Sequence, residues 1–373
     1  MPPHNRKFSN RITTFLYVKK FPSKVIESFT AMSFKKIRQL PTPEEIKENV
    51  PFPKELCEKK IRRDEEIKAV FEKKDNRFIV VIGPCSAHDE EAVCEYVSRL
   101  AAIQEKVKDK LIIIPRIYTN KPRTTGQGYK GMAHQPDHLK EPNIAEGIIA
   151  IRKMHVRSFS QSELSAADEM LYPNNHPYLD DLICYVAIGA RSVENQQHRL
   201  TASGLDIPVG MKNPTSGDIN VALNSVLAAQ IPHTFSYNGW EVTTSGNPYA
   251  HLILRGWVSS TGRPRPNYHH ENLIDASAVY TQRSMKNPTI FVDTNHDNSG
   301  KRFGEQPRIA KEVMRSRQYD PALKNLIRGL MIESYLKEGA QKADEDVYGK
   351  SITDPCLGWE DSEKLLYEIA ENC

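Results

Sequence analysis

Basic residues recur at the ends of short apolar runs in this chain, which points to one shared binding site. Four stand at such ends and two follow in the motif KPRTT: Arg116, Arg191, Lys212, Arg255, Lys121 and Arg123. Guanidinium groups bind carboxylates and phosphates through paired hydrogen bonds. Burying like charges together is unfavourable unless an anion neutralises them. The grouping therefore predicts a substrate that carries several negative charges.

A second set of residues has the chemistry of metal ligands. It consists of Cys85, His296, Glu333 and Asp354. Thiolate, imidazole and carboxylate groups together can hold a divalent transition metal. Their spacing matches no local metal motif, so the prediction depends on a fold that brings them together. Taken singly, Cys85 also fits a small core residue, and His296 a hydrogen-bonded residue at a strand end.

Eight short β-branched runs alternate with longer amphipathic stretches, as in βα units. The runs cover residues 78–85, 111–118, 165–171, 186–192, 208–213, 251–256, 289–296 and 329–334. Stretches such as DEEAVCEYVSRLAAIQEKV supply the predicted helices between them. The interval 232–250 contains aromatic, threonine and turn residues, and it predicts an inserted β-hairpin.

The position of the polar residues indicates the fold class. Buried parallel strands are normally apolar throughout, whereas these runs end in charged or reactive residues such as Glu169. A (β/α)8 barrel places its active site at the carboxyl ends of its strands. An open doubly wound sheet is the alternative, but the eight units have no glycine-rich dinucleotide fingerprint. We therefore expect an α/β TIM barrel over residues 78–373, preceded by a helical extension over residues 36–77.

Composition excludes several classes of protein. The chain has 373 residues, of which 39% are apolar, and this content argues against a disordered protein. No stretch approaches 18 uncharged apolar residues, so a membrane partner is not expected. The net charge is +4, and residues 1–26 alone carry six basic residues and no acid, so the rest is not a basic nucleic-acid binder. The six cysteines form no CxxC pair, which suits the reducing cytoplasm.

The basic amino-terminal segment, residues 1–35, is expected to be a flexible arm. Its composition is also that of an organellar presequence over residues 1–31. A third interpretation is an early start, because Met32 opens a more ordinary amino terminus.

Several long motifs stand in order along the chain: VIGPCSAHD, KPRTTGQGYKG, GARSVENQQHR, ASGLDIPVGMKNPTSGDI, LILRG and YGKSITDPCLGWED. On these motifs the sequence resembles the type I 3-deoxy-D-arabino-heptulosonate 7-phosphate (DAHP) synthases, the amino-acid-regulated bacterial and fungal kind. The similarity runs from residue 36 onward. It implies a metal-dependent condensation of phosphoenolpyruvate with erythrose 4-phosphate, the first step of the shikimate pathway.

The resemblance also implies roles for individual residues. Cys85, His296, Glu333 and Asp354 stand at the family's metal-ligand positions, and the metal is Mn, Fe, Co, Zn or a similar divalent ion. The expected phosphoenolpyruvate residues are Arg116, Lys121, Arg191, Lys212 and Arg255, with Glu169 and Ala190 beside them. Arg123 and Thr124 stand at the erythrose 4-phosphate position. A homodimer or homotetramer is implied.

Lys121 is the expected proton-transfer residue, joining Cys85, His296 and Asp354 in the catalytic set. It lies between both phosphate positions. Neighbouring cations are expected to depress the pKa of Lys121.

The chain departs from regulated relatives where the aromatic amino acid effector binds. The hairpin between Phe235 and Thr244 is shorter, the preceding turn reads YPNNHPY, and Asp206 replaces a usually small residue. We therefore expect weak, absent or altered inhibition by phenylalanine or tyrosine.

Two alternative functions remain at this stage. A related enzyme that condenses phosphoenolpyruvate with arabinose 5-phosphate would carry a Lys-Ala-Asn-Arg type loop, whereas this chain has KPRTT. A catalytically dead paralogue would tend to lose metal ligands, and all four ligand positions are filled here.

Overall fold

Eight parallel strands carry the β-branched runs of the sequence. The computed structural model describes residues 33–373. The strands are β1 (Phe78–Gly83), β2 (Leu111–Pro115), β3 (Ala166–Glu169), β4 (Ile183–Ile188), β5 (Val209–Lys212), β8 (Ala250–Leu254), β11 (Ile290–Asp293) and β12 (Ile327–Glu333), separated by the shorter strands given below. Every residue of these eight strands is buried, which explains their apolar content.

The eight strands form a closed barrel. Their order is β2-β1-β12-β11-β8-β5-β4-β3, and every pairing between them is parallel. The two outer strands meet through a bridge between Arg116 and Ala167, where Ile117 N donates to Ala167 O at 2.9 Å. The prediction of a (β/α)8 barrel is therefore confirmed. The fourth strand, β4, begins three residues and ends four residues before the corresponding limits of the predicted run 186–192.

Helices cover the outside of the barrel. They are α1 (Pro43–Asn49), α2 (Cys57–Phe71), α3 (Glu90–Val107), α4 (Ile144–Ser162), α5 (Gln196–Ala202), α6 (Ile219–Gln230), α7 (His270–Thr281), α8 (His296–Ser299), α9 (Gln306–Tyr319), α10 (Pro321–Leu326) and α11 (Trp359–Glu371). Short 3-10 turns lie at Lys54–Leu56, Pro173–Tyr178 and Phe303–Glu305. Apolar faces of these helices and of the strands form the main core.

Helix α2 closes the amino-terminal end of the barrel. Its residues Ile67, Val70 and Phe71 are fully buried in a cluster with inward-facing strand residues. The Phe71 ring stacks on Phe291 at 5.8 Å and lies 4.8 Å from His251. The predicted helical extension thus contributes directly to the barrel core.

The inserted hairpin consists of β6 (Thr234–Tyr237) and β7 (Trp240–Thr243), which pair antiparallel. Asn238 and Gly239 join them, and both have positive φ angles, 47° and 83°. Such angles at both positions are typical of a tight two-residue hairpin turn. A second small ribbon pairs β9 (Trp257–Val258) with β10 (Pro264–Arg265).

Residues 33–40 contain neither helix nor strand, and Pro41–Cys373 forms one compact unit. The predictions for residues 1–31 lie outside the described residues. Within residues 33–373, no helix is both long and apolar enough to cross a bilayer.

Candidate active site

A polar cavity of about 250 Å³ lies at the carboxyl ends of the barrel strands. All nine predicted substrate-binding residues line it: Arg116, Lys121, Arg123, Thr124, Glu169, Ala190, Arg191, Lys212 and Arg255. Among residues 33–373, its walls hold seven basic side chains, counting Lys301, and two acidic ones. Such an excess of positive charge favours polyanionic ligands.

Arg116 lies deepest among these cations. It follows β2, is almost fully buried, and donates from Nη1 to the Pro84 carbonyl at 2.6 Å. Its Nη2 lies 2.9 Å from Glu333 Oε1 at the end of β12, and its guanidinium stacks on the Tyr118 ring at 3.9 Å. These contacts hold the guanidinium in one orientation, and Arg116 Nε has no hydrogen-bond partner in the described chain.

Two further cations of the cavity have acidic partners at the same end of the barrel. Lys212, the last residue of β5, lies 2.9 Å from Asp293 at the end of β11. Arg255 follows β8 and donates from Nη1 to Asp297 at 2.6 Å. His296 Nδ1 also lies 2.9 Å from the same Asp293 oxygen as Lys212. Protein carboxylates therefore neutralise part of the positive charge of these cations, whereas the sequence led us to expect that the ligand alone would neutralise it.

Lys121 lies between two of the predicted metal ligands. Its Nζ is 2.7 Å from Cys85 Sγ and 2.8 Å from Asp354 Oδ2. The two ligand atoms themselves are 3.5 Å apart. Lys301 approaches the other oxygen of Asp354 at 3.3 Å. Two ammonium groups therefore flank the Asp354 carboxylate.

Three of the four predicted metal ligands form a compact group. Ligand atoms of Cys85, Glu333 and Asp354 all lie within 4.8 Å of one another. Glu333 Oε1 is buried and has no aligned hydrogen-bond donor among residues 33–373. His296 is not part of this group, although its Nε2 lies 3.9 Å from Glu333 Oε1. A soft thiolate beside carboxylates and an imidazole suits a divalent transition metal, so these residues fit the implied ion.

The surrounding charges favour the ionised acids. Burial alone would raise the pKa of Glu333, but Arg116, His296 and Lys121 together hold it below the ordinary value. The pKa of Asp354 is likewise lowered against its burial, chiefly by Lys121. Burial and the charge of Glu333 raise the pKa of the Cys85 thiol. The carboxylates are therefore ready to bind a cation, whereas Cys85 must lose its proton to do so.

The prediction that neighbouring cations depress the pKa of Lys121 is wrong for this arrangement. Burial does lower the pKa, but the Cys85 sulfur and the carboxylates of Asp354 and Glu333 outweigh it and raise the pKa above the ordinary value. The nearest neighbours of the ammonium group are acids because the loop carrying Lys121 folds back over the ligand group. Lys121 is therefore a stable cation here.

Loops place the remaining predicted residues at the mouth of the cavity. Arg123 donates from Nε to the Tyr129 carbonyl at 2.8 Å, and Thr124 beside it is exposed. Arg191 is exposed and lies three residues after β4, rather than within the predicted strand. Glu169 ends β3 on the opposite wall, where a Cβ at Gly189 would come within 2.3 Å of its Oε1. A side chain at position 189 would therefore force the Glu169 carboxylate to move.

Sequence reasoning missed the acids that orient the cations. Asp293 and Asp297 flank His296 in the run DTNHDN, but only the histidine was singled out. Asn295 was also missed, although its Nδ2 donates to Glu333 Oε2 at 2.6 Å. Two carboxylates four residues apart, one inside the predicted strand run 289–296 and one directly after it, were the available signal. Lys301 had no such signal, because it lies beyond the short helix α8.

Known proteins resemble this chain over most of its length. The sequence model described as the DAHP synthetase I family matches residues 56–367. The Phe-sensitive phospho-2-dehydro-3-deoxyheptonate aldolase of Escherichia coli K12 is 38% identical over 347 residues, which are 91% of this chain and 96% of that protein. A putative enzyme of the same name from Schizosaccharomyces pombe is 39% identical over 307 residues, 80% of each chain.

A solved structure agrees with these matches. The phospho-2-dehydro-3-deoxyheptonate aldolase of Francisella tularensis superposes with a TM-score of 0.84 at 34% identity, covering 91% of this chain and 98% of that one. The sequence matches and the shared fold lead to one conclusion: this chain belongs to the DAHP synthetase I family.

Proposed function

We propose that this chain condenses phosphoenolpyruvate with erythrose 4-phosphate and water, giving DAHP and inorganic phosphate, at the start of the shikimate pathway. One observation carries the proposal: seven cations converge on a small cavity next to the Cys85, Glu333 and Asp354 group. Phosphoenolpyruvate holds a carboxylate and a phosphate on three carbons, and the second substrate adds another phosphate. Family membership and the names of the relatives support the same reaction.

Arg116, Lys212 and Arg255 are proposed to bind phosphoenolpyruvate at the base of the cavity. All three are more than nine-tenths buried, and fixed partners hold each of them in place. Preorganised cations in a site that excludes water interact strongly with an anion without reorganising. Arg191, Glu169 and Ala190 complete this subsite, and Arg123 and Thr124 at the mouth are proposed to bind the phosphate of erythrose 4-phosphate.

In the proposed reaction C3 of phosphoenolpyruvate attacks the aldehyde carbon of the sugar phosphate. When bound by Cys85, His296, Glu333 and Asp354, a divalent metal would polarise the aldehyde oxygen as a Lewis acid. Lys121 donates a proton to that oxygen as the carbon–carbon bond forms, a role supported by its ammonium group lying 2.8 Å from Asp354 Oδ2. Positive charge then develops at C2, water adds, and the hemiketal phosphate releases phosphate by C–O cleavage.

A steady-state assay of phosphoenolpyruvate consumption tests the proposal. We expect turnover with erythrose 4-phosphate and none with arabinose 5-phosphate. EDTA should abolish the activity and added Mn²⁺ should restore it. Preference for arabinose 5-phosphate would identify the related condensing enzyme instead, and no turnover with either aldose would identify a dead paralogue.

The chain is also proposed to act in the cytoplasm as a homodimer or homotetramer. The oligomeric implication comes from the family, so the mass in solution tests it independently of activity. Sedimentation at micromolar concentration should give two or four times the chain mass, and a monomer would contradict the proposal.

A further inference from the structure

A second group of cations surrounds a cavity at the amino-terminal ends of the strands, the opposite end of the barrel from the candidate active site. The cavity has a volume of about 400 Å³. The segments before β1 and β2, helices α9 and α10, the start of β12 and Cys373 form its walls. Five basic and two acidic residues line it: Arg77, Lys110, Arg317, Lys324, Arg328, Asp75 and Asp109.

Arg317 and Arg328 are buried in this cavity, with 3% and 5% of their surface exposed. Arg317 Nε donates to the Ile327 carbonyl at 2.9 Å, and its guanidinium stacks on the Phe78 ring at 4.3 Å. Arg328 Nη2 donates to the Asp75 carbonyl. In the described part of the chain, Arg328 Nε is buried without a hydrogen-bond partner, and neither arginine forms an ion pair.

Among residues 33–373, no acid of the cavity forms an ion pair with either arginine, although the charge of Asp75 partly offsets the effect of burial on the pKa of Arg328. The Asp75 carboxylate is bound to Arg77 at 2.6 Å, and Glu66 adds a second partner to Arg77 at 3.1 Å. Asp109 is the other acid of the lining, so among the described residues five basic side chains still face two carboxylates, with Lys110 and Lys324 exposed. Burial and the charge of Arg328 lower the pKa of Arg317 to about 10, and Cys373 beside it only partly offsets this.

A purely structural role explains part of this arrangement. Residues at the amino-terminal face of a TIM barrel commonly serve stability, and both arginines do donate to turn carbonyls. That role leaves the orphaned Arg328 Nε, the open cavity and the excess charge without an explanation. Buried cations without partners are costly, so an external anion is the simplest complement.

We propose that this cavity binds a small organic phosphate between Arg317 and Arg328. Planar guanidinium groups match the oxygens of a phosphate through paired hydrogen bonds. Lys110 and Lys324 at the rim add point charges that attract a dianion. The volume exceeds the 250 Å³ of the candidate active site, so an organic portion fits beside the phosphate.

Tungstate, a tetrahedral dianion like phosphate, is the probe that locates the site. Crystals of the full chain are soaked in tungstate and the anomalous signal is mapped. We expect a peak within hydrogen-bond distance of both the Arg317 and the Arg328 guanidinium. Peaks confined to the candidate active site would overturn the proposal.

A binding experiment separates a real site from adventitious uptake of the probe. Equilibrium dialysis with labelled inorganic phosphate is compared for the natural chain, Lys110→Gln/Lys324→Gln, and Lys153→Gln/Lys364→Gln. The control pair also removes two exposed lysines, one on α4 and one on α11, away from the cavity. Both double variants change only exposed residues and should fold.

We expect one phosphate per chain beyond that bound in the active site. Its affinity should fall about tenfold in the rim variant, because two nearby charges are lost, and stay unchanged in the control. Equal affinities in all three proteins, or no additional phosphate, would contradict the proposal. The rim variant should keep its turnover at saturating substrate.

Discussion

Individual acids in the candidate active site serve more than one neighbour. The same Asp293 oxygen lies 2.9 Å from both Lys212 and His296. Glu333 similarly faces Arg116 through Oε1, and Asn295 donates to its Oε2. The proposed substrate cations and the proposed metal ligands therefore share counterions. An anion bound at Lys212 would change the charge balance around His296 through a single carboxylate.

Replacing Lys121 with alanine should remove most of the activity. The substitution takes away the proposed proton donor, so kcat should fall by about 10²- to 10⁴-fold. Initial rates of phosphoenolpyruvate consumption measure the effect. Lys130→Ala on the same loop is the matched control, because Lys130 does not line the cavity, and it should retain near-normal rates. Wild-type turnover in Lys121→Ala would rule out this role.

One arginine connects three separate elements beside the barrel. Arg152 of α4 is buried, and it donates to the Val50 carbonyl at 2.7 Å and the Tyr178 carbonyl at 3.0 Å. Asp181 accepts two parallel bonds from the same guanidinium, at 2.7 and 2.8 Å. The segment after α1, helix α4 and the 3-10 turn before β4 are therefore held by one side chain.

Asp181→Asn should destabilise the fold in a pH-dependent way. It leaves the buried Arg152 charge without its carboxylate, and because Asp181 is partly exposed the free energy of unfolding should fall by roughly 1–3 kcal/mol at pH 7. Burial alone would raise the pKa of Asp181, but Arg152 holds it below its ordinary value of 3.8. A carboxylate whose pKa is lowered by folding stabilises the folded state at pH values above its ordinary pKa. The difference in unfolding free energy between wild type and variant should therefore shrink as the pH falls below 3.8.

Denaturant unfolding at several pH values measures this difference. Asp180→Asn is the matched control, since Asp180 pairs with Lys47 on the surface, where an ion pair contributes about 1 kcal/mol or less. Equal losses in the two variants, or a gap that widens in acid, would contradict the role given to Arg152.

The hairpin forms one wall of a larger cavity of about 710 Å³, which helix α2 and Asp206 also line. Asp206 binds Lys68 at 2.8 Å, and Glu65 lies 3.1 Å from the same ammonium group. This cation is therefore already neutralised and does not favour the carboxylate of an amino acid. The short hairpin turn at Asn238 and Gly239 also limits how far this wall extends.

We expect phenylalanine and tyrosine to inhibit weakly or not at all. Asp206→Ser should increase the sensitivity to one of them, because it removes one of the two acids that neutralise Lys68 while leaving basal turnover intact. Inhibition curves for both proteins test this. Strong inhibition of the natural chain at micromolar phenylalanine or tyrosine would refute it.

Across the whole molecule, local sequence patterns predicted the strands and their common end but not the partners across the barrel. The β-branched run at residues 78–85 identifies β1 on its own. The pairing of Lys212 with Asp293 depends on β8 lying between β5 and β11, an order that no local pattern contains. The raised pKa of Lys121 similarly depends on how its loop folds over Cys85 and Asp354.

Phe71→Ala should weaken the whole barrel without changing its chemistry. The side chain is fully buried against Phe291 and His251 at the end remote from the candidate active site. The cavity left behind should cost about 3–5 kcal/mol of unfolding free energy. Ile61→Ala is the control, because Ile61 is exposed on the same helix, and it should change the free energy of unfolding little. A large fall in kcat of still-folded Phe71→Ala protein would contradict this separation.

The junction of β2 and β3 is the part of the barrel sheet that we expect to open most readily. A single bridge and the bond from Ile117 N to Ala167 O join these strands, whereas the other neighbouring strands share longer ladders. Short ladders open most readily, so the Ile117 amide should exchange its hydrogen faster than amides within β1 or β12. Arg116 and Glu169 flank this junction and both line the candidate active site. Phosphoenolpyruvate should therefore slow deuterium uptake at the junction of β2 and β3, as measured by mass spectrometry of the intact enzyme. Equal uptake with and without phosphoenolpyruvate would show that this junction and the site are uncoupled.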